Sequence, residues 1–483
     1  MILLILLILL IGVLVFRTFA YRDVPKSDSH ESYSLSSISD EAINRFSKFI
    51  QLETVTFNDF SQIDMKEHRK VEGFFYENFP LCSNNLDLIK LNDFAYIFRW
   101  DGKAENKGRS KKPVLFMAHF DVVPVQDEGW DFPPFSGEVK DGHILGRGTL
   151  DTKNSLIGIL ESAEKLISEG FTPESTIYFA FGGDEEVMGL QGAVKIVEYF
   201  KNHNINFDWV LDEGSIIAKN MLSMTDKPLA LIGIAEKGFA NIRLVAHGEP
   251  GHASMPPEHT AAGLIARAVC KLENNPFPVH LTKTVRKYLK SLIPYVSFSL
   301  ALVFSNLWLF APIVKLIFKK SPKTAAMVHT TQAATILKGS IKDNILPDTA
   351  EAILNVRILP GETKFDVLKR MQSVVKDPQV TVKFMNENDA SNPMHESSST
   401  ADGYVKIKNT IYKVYPEGVV SPFLVTATTD SRHYKDITDN IYRFVPMVLN
   451  SEDLKKIHGF NESISIENYT LIINFFTELM KTI

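Results

Sequence analysis

Three adjacent acids, Asp184, Glu185 and Glu186, directly follow the apolar run STIYFAF. Successive side chains of an extended backbone point to opposite faces, so neighbouring acids at the end of a strand cannot make the same contacts. We therefore expect these carboxylates to have different roles. A solvated acidic turn is the alternative interpretation, and the other motifs of the chain decide between the two.

A histidine and further acids follow other apolar runs. His119 and Asp121 lie two residues apart at a predicted strand end, so both side chains point to the same side. Asp151 stands just before a predicted helix, where the helix dipole favours an anion, and Asp212 and Glu213 end another apolar run. In a doubly wound sheet, ligands collect at the carboxyl ends of the strands. We expect these side chains to converge there.

So many carboxylates in one crevice repel one another, which raises some of their pKa values unless a positive charge lies between them. A pair of divalent cations supplies that charge, and imidazole together with carboxylate suits zinc. His458, in the run KKIHGFNESIS, offers a second imidazole before the last predicted helix. An isolated histidine of this kind is more often structural, but the constellation predicts two zinc ions per subunit.

The elements that must position these residues alternate apolar strands with helices, which indicates a doubly wound α/β sheet. Strands are predicted at 113–119, 175–181 and 207–213. Between the first two, apolar residues at helical spacing predict a helix at 153–170. A last helix is predicted at SIENYTLIINFFTELM.

In the middle of the chain the pattern changes to half-buried antiparallel strands that amphipathic helices cover. We predict a catalytic domain built from residues 40–235 and 388–483, with a smaller α+β domain inserted at 236–387. A targeting segment at 1–22 and a Ser-rich linker at 23–39 precede the catalytic domain.

The composition is that of a globular protein, with 45% hydrophobic and 23% charged residues in a chain of 483. This length predicts two or three domains. The formal net charge is −5 and bases are mixed with acids, so we expect no nucleic acid partner. The two cysteines, Cys82 and Cys270, allow at most one intrachain disulfide, so the fold must rest on its core.

The chain opens on sixteen uncharged and almost entirely apolar residues before Arg17. This is a targeting segment without a basic n-region, and it leaves both a cleaved signal peptide and an uncleaved anchor open. Either way we expect the body of the protein to enter the secretory pathway, either secreted or anchored with the catalytic domain luminal or extracellular. Sequons at Asn461 and Asn468 are consistent with a glycoprotein in that compartment.

Seven motifs resemble, in order, those of the co-catalytic zinc aminoacylase and carboxypeptidase family: MAHFDVVPV, GRGTLDTK, GGDEEVMG, LDEGS, GHASMPP, TTDSRHY and IHGFNE. The resemblance covers residues 40–483 and is greatest to the N-fatty-acyl-amino-acid synthase/hydrolase branch, with the carboxypeptidase S branch next. It implies a di-zinc amidohydrolase, with a zinc-peptidase catalytic domain and an inserted lid and dimerisation domain. The substrates it implies are N-acyl amino acids, N-fatty-acyl amino acids in particular, whose amide bond is cleaved or formed. The alternatives are a carboxypeptidase S-like metallopeptidase that releases C-terminal residues from short peptides and, less favoured, an inactive binding protein.

The resemblance also implies which residues bind the metals. The implied ligands are, for one zinc, His119, Asp151 and Asp212 and, for the other, Asp151, Glu186 and His458. Asp151 is then the bridge between the two ions. Members of the family differ in which acid at the third strand end binds metal, so Glu213 remains an alternative to Asp212.

Two catalytic residues follow from the same resemblance. Glu185 would act as the general base that takes a proton from zinc-bound water and returns it to the leaving amine. Asp121 would fix the His119 ring through its other nitrogen. The resemblance further implies a cis peptide bond between Asp151 and Thr152.

Four residues are implied in substrate binding: His252, Asn344, Arg357 and Arg432. His252, in the turn GEPGHASMPP, would donate to the oxyanion in the partner subunit's active site, which implies a homodimer through the lid domain. Asn344 and the two arginines would hold the substrate's free carboxylate, since a guanidinium pairs bidentately with carboxylates. Ordinary structural or surface roles are the alternative for each.

The run from 291 to 318 is apolar and long enough to suggest a transmembrane helix. Pro294 and Pro312 interrupt it, and a single span would place His458 across the membrane from His119, so we reject the span. We predict lid helices here, either buried or in contact with a membrane or lipoprotein. We also predict that they border an acyl channel and favour lipophilic N-acyl groups.

Overall fold

The computed structural model describes residues 1–23, 33–103, 111–126, 128–221 and 224–483, so most of the predicted linker at 23–39 lies outside the described residues. The helices are α1 Ile2–Arg22, α2 Asp40–Ile50, α3 Met65–Asn78, α4 Pro80–Asn85, α5 Lys153–Ser168, α6 Ala193–Asn202, α7 Ala261–Asn274, α8 Lys283–Ser291, α9 Phe298–Ser305, α10 Leu307–Phe318, α11 Pro322–Val328, α12 Lys364–Val375, α13 Asp402–Val414 and α14 Ile466–Met480. The strands are β1 Asp87–Asn92, β2 Ala95–Trp100, β3 Val114–His119, β4 Val139–Lys140, β5 His143–Leu145, β6 Ile177–Gly182, β7 Trp209–Asp212, β8 Ile217–Ala218, β9 Leu229–Glu236, β10 Gly238–His247, β11 Gly251–His252, β12 Thr331–Lys338, β13 Ile345–Leu346, β14 Thr349–Ile358, β15 Val380–Phe384, β16 Val419–Val425, β17 Ile441–Arg443, β18 Val448–Leu449 and β19 Ser463–Ser465.

The largest sheet has ten strands in the order β1-β2-β6-β3-β7-β17-β9-β8-β18, with β16 paired to β9. Strands β6, β3 and β7 are parallel neighbours, and β17 continues parallel to β7. Antiparallel pairs between β1 and β2, β2 and β6, and β8 and β9 complete a mixed sheet. The predicted α/β class is confirmed, and β3, β6 and β7 match the predicted strands to within two residues at each end.

Helices cover both faces of this sheet because its central strands are apolar on both sides. On one face Phe116 and Phe179 stack with ring centroids 6.2 Å apart, in the core that includes α5 and α14. On the other face the same strands pack against α6. Helix α5 lies so close to α14 that a Cβ added at Gly158 would lie 2.5 Å from Ile472 Cγ2. This burial on both sides fixes the positions of the strand ends.

A separate antiparallel sheet has the order β12-β14-β10-β15. Helices α7 and α12 pack on it, and β10 and β14 alternate buried with half-buried residues along most of their length. This is the α+β unit that the sequence pattern predicts, whereas the domain bounds at 236–387 stay a prediction.

The apolar run 291–318 contains α9 and α10, which are bent by 115° relative to each other at Asn306. The two helices therefore form no straight span. Among the described residues, α1 is the single helix long and apolar enough to cross a membrane, and α9 with α10 would do so only as a broken span. Helix α1 contacts α9, with the Phe19 and Phe298 ring centroids 5.7 Å apart.

Candidate metal centre

The predicted metal ligands lie at the carboxyl ends of three neighbouring strands. His119 ends β3, Asp212 ends β7, and Glu185 and Glu186 open a 3₁₀ turn after β6. Asp151 stands two residues before α5. Because β6, β3 and β7 are parallel neighbours, their carboxyl ends meet at one edge of the sheet. The structure thus brings these residues to one edge, as expected from the sequence.

Asp151 lies between the two histidines. Its Oδ1 is 3.0 Å from His119 Nε2, and its Oδ2 is 3.0 Å from His458 Nε2. Glu186 Oε1 lies 3.1 Å from His458 Nε2, and Glu213 Oε1 lies 3.4 Å from His119 Nε2. Two triplets of possible ligands share Asp151, one on each side of it, and a third consists of His119, Glu185 and Glu186. Within each triplet the ligand atoms lie within 4.8 Å of one another. Imidazoles and carboxylates that share one carboxylate fit a pair of divalent metal ions.

Glu213, and not Asp212, reaches this cluster. Asp212 is buried, and its Oδ2 accepts the backbone N–H of Ser431 at 3.0 Å. Since neighbouring side chains at a strand end point to opposite sides, Glu213 is directed towards His119. The geometry therefore favours Glu213 over Asp212, and the choice of ligand at this strand end stays a prediction.

The three adjacent acids make three different sets of contacts. Asp184 accepts the backbone N–H groups of Gln191 and Gly192, both at 2.7 Å, and so fixes its own loop. Glu186 pairs with His458. The Glu185 carboxylate has no hydrogen bond or ion pair within the part of the chain that is described, although it lies close to His119 and Glu186. It is therefore available to a bound substrate or water.

Asp121 contacts both His119, a predicted metal ligand, and the backbone of the acidic turn. The His119 ring places Nδ1 3.0 Å from the Asp121 carbonyl oxygen and 3.3 Å from Asp121 Oδ1. The same carboxylate accepts the backbone N–H of Glu185 at 3.0 Å and of Glu186 at 3.1 Å, and Thr56 Oγ1 donates to it at 2.8 Å. With Nδ1 occupied in this way, Nε2 of His119 faces Asp151.

The crowding of acids perturbs their pKa values. Burial raises the pKa of Glu185 well above its ordinary value, although the nearby His119 opposes the shift. Burial also raises the pKa of Glu213 to about 8. Burial acts on Asp151 too, but hydrogen bonds to His119 and His458 hold its pKa below the ordinary value. Acids held this close favour a site that receives positive charge.

A buried ion pair that the sequence patterns did not single out connects the two loops of the site. Glu462 Oε2 accepts from Arg147 Nη1 at 2.6 Å, and Glu462 Oε1 accepts the backbone N–H of Asp151 at 3.3 Å. Arg147 Nη2 donates to the Gly459 carbonyl at 2.9 Å, next to His458. Both residues stand inside quoted motifs, GRGTLDTK and IHGFNE, but spacing alone gave no sign that they pair. The predicted cis peptide bond after Asp151 is confirmed.

The two candidate arginines differ in their availability. Arg432 is buried and donates to the backbone oxygens of Thr429 and Met188 at 3.1 and 3.0 Å. Arg357 donates through Nη1 to Thr428 Oγ1 at 3.0 Å. Burial lowers the pKa of Arg357, and Glu185 is among the charges that act on it. Arg357 is thus within electrostatic reach of Glu185, whereas Arg432 supports the backbone of two loops.

His252 lies in the small sheet formed by β11 and β13, and Asn344 lies in the turn directly before β13. His252 pairs with Ile345 across this sheet, and Ala253 N–H donates to the Asn344 carbonyl at 3.0 Å. Both side chains are exposed. No hydrogen bond or ion pair among the described residues joins either one to the cluster around Asp151.

The two sequon asparagines are engaged in protein hydrogen bonds. Asn461 Nδ2 donates to Asp131 Oδ2 at 2.8 Å, and Asn468 Nδ2 donates to the Val448 carbonyl at 3.2 Å. These are the nitrogens that would carry a glycan, so the structure gives no support for the predicted glycosylation.

Comparison with known proteins identifies the family to which these features belong. A family model described as "Peptidase family M20/M25/M40" matches residues 115–482. The chain is 38% identical to "Probable carboxypeptidase S-like 2" of Dictyostelium discoideum, over 93% of this chain and 86% of that relative. It is 36% identical to "N-fatty-acyl-amino acid synthase/hydrolase PM20D1" of Xenopus tropicalis, over 98% of this chain and 93% of that relative. Among solved structures, the M20 family metallo-carboxypeptidase Sso-CP2 from Sulfolobus solfataricus matches with a TM-score of 0.69 and 17% identity, over 92% of this chain and 99% of that one.

Proposed function

This chain belongs to peptidase family M20/M25/M40, and we propose that it is a di-zinc amidohydrolase that acts on N-acyl amino acids. The observation that carries the proposal is the position of Asp151, with one carboxylate oxygen 3.0 Å from each of His119 Nε2 and His458 Nε2. Glu185, an acid without a protein partner among the described residues, stands beside them. A shared carboxylate between two imidazoles, with a free acid alongside, suits metal-dependent hydrolysis of an amide.

Each side chain has one role in this proposal. One zinc would be held by His119, Asp151 and Glu213, and the other would be held by Asp151, Glu186 and His458. When bound, the two ions supply the Lewis acidity that polarises the scissile carbonyl and lowers the pKa of water. Glu185 accepts a proton from the attacking water and delivers it to the nitrogen of the leaving amine. The water oxygen bonds to the carbonyl carbon as the C–N bond breaks, so that a carboxylate and an amine leave.

Asp121 and Arg357 position the reacting groups. Asp121 fixes the His119 ring and the backbone of Glu185, which keeps the proton acceptor at a constant distance from the first ligand. Arg357 is the candidate for binding the free carboxylate of the substrate, since its charge lies near Glu185 and a guanidinium can pair bidentately with that group. Arg432 is the weaker candidate because its donors are committed to backbone oxygens.

Within the family we propose N-fatty-acyl amino acids as the preferred substrates. Support comes from the 36% identity over 98% of the chain to a relative named N-fatty-acyl-amino acid synthase/hydrolase. A relative named carboxypeptidase S-like has a similar identity, 38%, which keeps release of C-terminal residues from peptides as the second candidate. Both reactions break an amide next to a free carboxylate, so the chemistry at Glu185 is the same in either case.

The test compares N-acyl phenylalanines of increasing chain length with N-blocked dipeptides. If an apolar channel receives the acyl chain, each methylene buried is worth about 0.8 kcal/mol, or about fourfold in kcat/KM. We expect kcat/KM to rise along the series until the channel is full, and every N-acyl substrate beyond the shortest to exceed the dipeptides. A flat series, or faster cleavage of the dipeptides, favours the carboxypeptidase.

We also propose that two subunits pair through the lid domain and that the body of the protein lies in the secretory pathway. The exposed positions of His252 and Asn344, unconnected to their own metal cluster, support an assembly in which they serve the partner's site. The apolar helix α1 at the start of the chain supports delivery to a membrane system.

A further inference from the structure

The outward face of α10 is apolar. Its exposed residues are spaced so that they form one face of a helix: Trp308, Leu309, Pro312, Ile313, Leu316 and Ile317. Val314 and Phe318, on the opposite side, pack into the core. A surface helix of a water-soluble protein presents polar residues outward. The outward face of α10 therefore fits an apolar medium and not water.

Helix α1 packs against α9 and Asn306, at the start of α10, and is itself exposed over most of its length. Residues 1–13 are all exposed, whereas Leu14 and Thr18 are buried against the body of the protein. Arg17 Nη2 donates to the Ser305 carbonyl at 3.3 Å, and Arg22 Nη2 donates to the Val296 carbonyl at 3.2 Å. The C-terminal third of α1 is thus docked on α9, and the rest projects away from the body.

Asn306 joins the three helices at one buried point. Its Nδ2 donates to the Leu14 carbonyl of α1 at 3.1 Å and to the Leu302 carbonyl of α9 at 2.9 Å. Its Oδ1 accepts from Trp308 Nε1 of α10 at 3.4 Å, so the exposed indole carries no unpaired donor. The Asn306 amide therefore connects all three helices by hydrogen bonds, whereas Arg17 Nε and Ser305 Oγ at the same junction have no partner within the described part of the chain.

The depth of these contacts follows from helix geometry. A helix rises about 1.5 Å per residue, so α1 is about 31 Å long, close to the roughly 30 Å of a bilayer's hydrocarbon core. Leu14 lies past the middle of α1. If α1 crosses a bilayer, the contact between Leu14 and Asn306 falls inside the leaflet on the side of the catalytic body. Trp308, which bonds to Asn306 at the start of α10, then lies near the same depth.

Basic residues border the apolar surface where it meets water. Lys319 and Lys320 follow α10 and are exposed, and Arg22 ends α1. Lysine and arginine at the ends of membrane helices place their charges among lipid headgroups. The surface therefore has the apolar centre and basic edge of an element embedded in one leaflet.

We propose that α1 is retained as a transmembrane anchor and that α9 and α10, docked on it, are embedded in the leaflet next to the catalytic body. The occupant of the apolar face is lipid, because Trp308 in that face is linked through Asn306 to a helix that fits a bilayer span. This inference does not depend on the substrate proposed above. The proposal favours an uncleaved anchor over a cleaved signal peptide, two alternatives that the sequence left open.

The test uses the full chain, reconstituted in phosphatidylcholine vesicles, and the fluorescence of Trp308. The other tryptophans, Trp100, Trp130 and Trp209, are buried or half-buried, so the Trp308 signal is the difference between the wild type and Trp308→Phe. We expect lipids with a nitroxide deep in the acyl chain to quench this signal, and iodide in the water not to. Thermal unfolding of the variant checks that its fold is intact.

A matched control places the indole at another exposed apolar position. Phe365 on α12 is 54% exposed, close to the 58% of Trp308, and lies outside the apolar surface. In the double variant Trp308→Phe, Phe365→Trp we expect quenching by iodide and not by the nitroxide lipids. Iodide quenching of Trp308 in the wild type would overturn the proposal. Shielding from both quenchers would point to a second copy of the chain on α10 and would also overturn the proposal. The proposal would likewise be overturned if the protein purified from a eukaryotic host's membranes had its N-terminus after residue 22.

Discussion

Replacement of Glu185 by Gln should separate catalysis from metal binding. Glutamine keeps the size of the side chain and leaves the backbone N–H of residue 185 on Asp121 Oδ1. No protein group among the described residues pairs with the Glu185 carboxylate, so its loss leaves no buried partner unsatisfied. The fold and the ligands His119, Asp151 and Glu213 should therefore be unaffected.

The expected loss is kinetic. An amide side chain cannot accept the proton of the attacking water, and loss of a general base costs about 10² to 10⁴ in rate. This corresponds to about 3 to 5 kcal/mol on the barrier. Because no group that binds the substrate is altered, we expect the fall in kcat and a KM close to that of the wild type.

The assay measures hydrolysis of an N-acyl amino acid, with the metal content of the same sample determined by mass spectrometry. Glu186→Gln, one residue further, is the matched control, because it removes a group that faces His458 and should lower the metal content as well as the rate. A Glu185→Gln enzyme that retains more than a tenth of the wild-type kcat would refute the assignment of the base. So would a variant that loses metal as Glu186→Gln does.

Three further outcomes are expected. Arg147→Met should lower the free energy of unfolding by about 3 to 5 kcal/mol, because it removes the ion-pair partner of the buried Glu462. Denaturant unfolding measures this change, and unchanged stability would contradict the role of the pair. Burial lowers the pKa of His433 to about 4, below the value of about 6.5 in the unfolded chain. Between about pH 6.5 and 4 the unfolded chain therefore binds a proton that the folded chain does not, so the free energy of unfolding falls as the pH falls. Near pH 5 this term is about 2 kcal/mol, and His433→Gln should remove it from the pH dependence of unfolding; equal slopes in both proteins would contradict the assignment. If His252 serves the partner's site, mixing and reassembling Glu185→Gln and His252→Ala subunits should restore activity that neither has alone, whereas an inactive mixture would contradict the proposed dimer.

The fold was largely predictable because its signals are local. The buried run VLFMAH can only be an interior strand with both faces covered, and Gly170 marks the end of the helix that follows Asp151. Ligand placement followed from the rule that parallel strands direct their carboxyl ends to one edge. Those two arguments together brought His119, Asp151 and Glu186 to one place.

The sequence could not predict the direction in which adjacent side chains point, or which residues pair across a long stretch of chain. Asp212 and Glu213 are adjacent, and only the hydrogen bond from Ser431, far along the chain, fixes which of the two faces His119. The pair between Arg147 and Glu462 likewise joins segments separated by 315 residues. The docking of α1 on α9 could not be predicted from the apolar pattern. Hydropathy indicates that a segment prefers burial or lipid, but it does not identify the element that the segment contacts.

The central claim is that Asp151 bridges two metal ions, and anomalous diffraction from crystals grown with zinc tests it most directly. Data collected at the zinc edge should show two peaks about 3.5 to 4 Å apart, one on either side of the Asp151 carboxylate. Glu213 should lie at the first peak with His119, and Glu186 should lie at the second with His458. A single peak, or Asp212 in place of Glu213 at the first, would contradict the account.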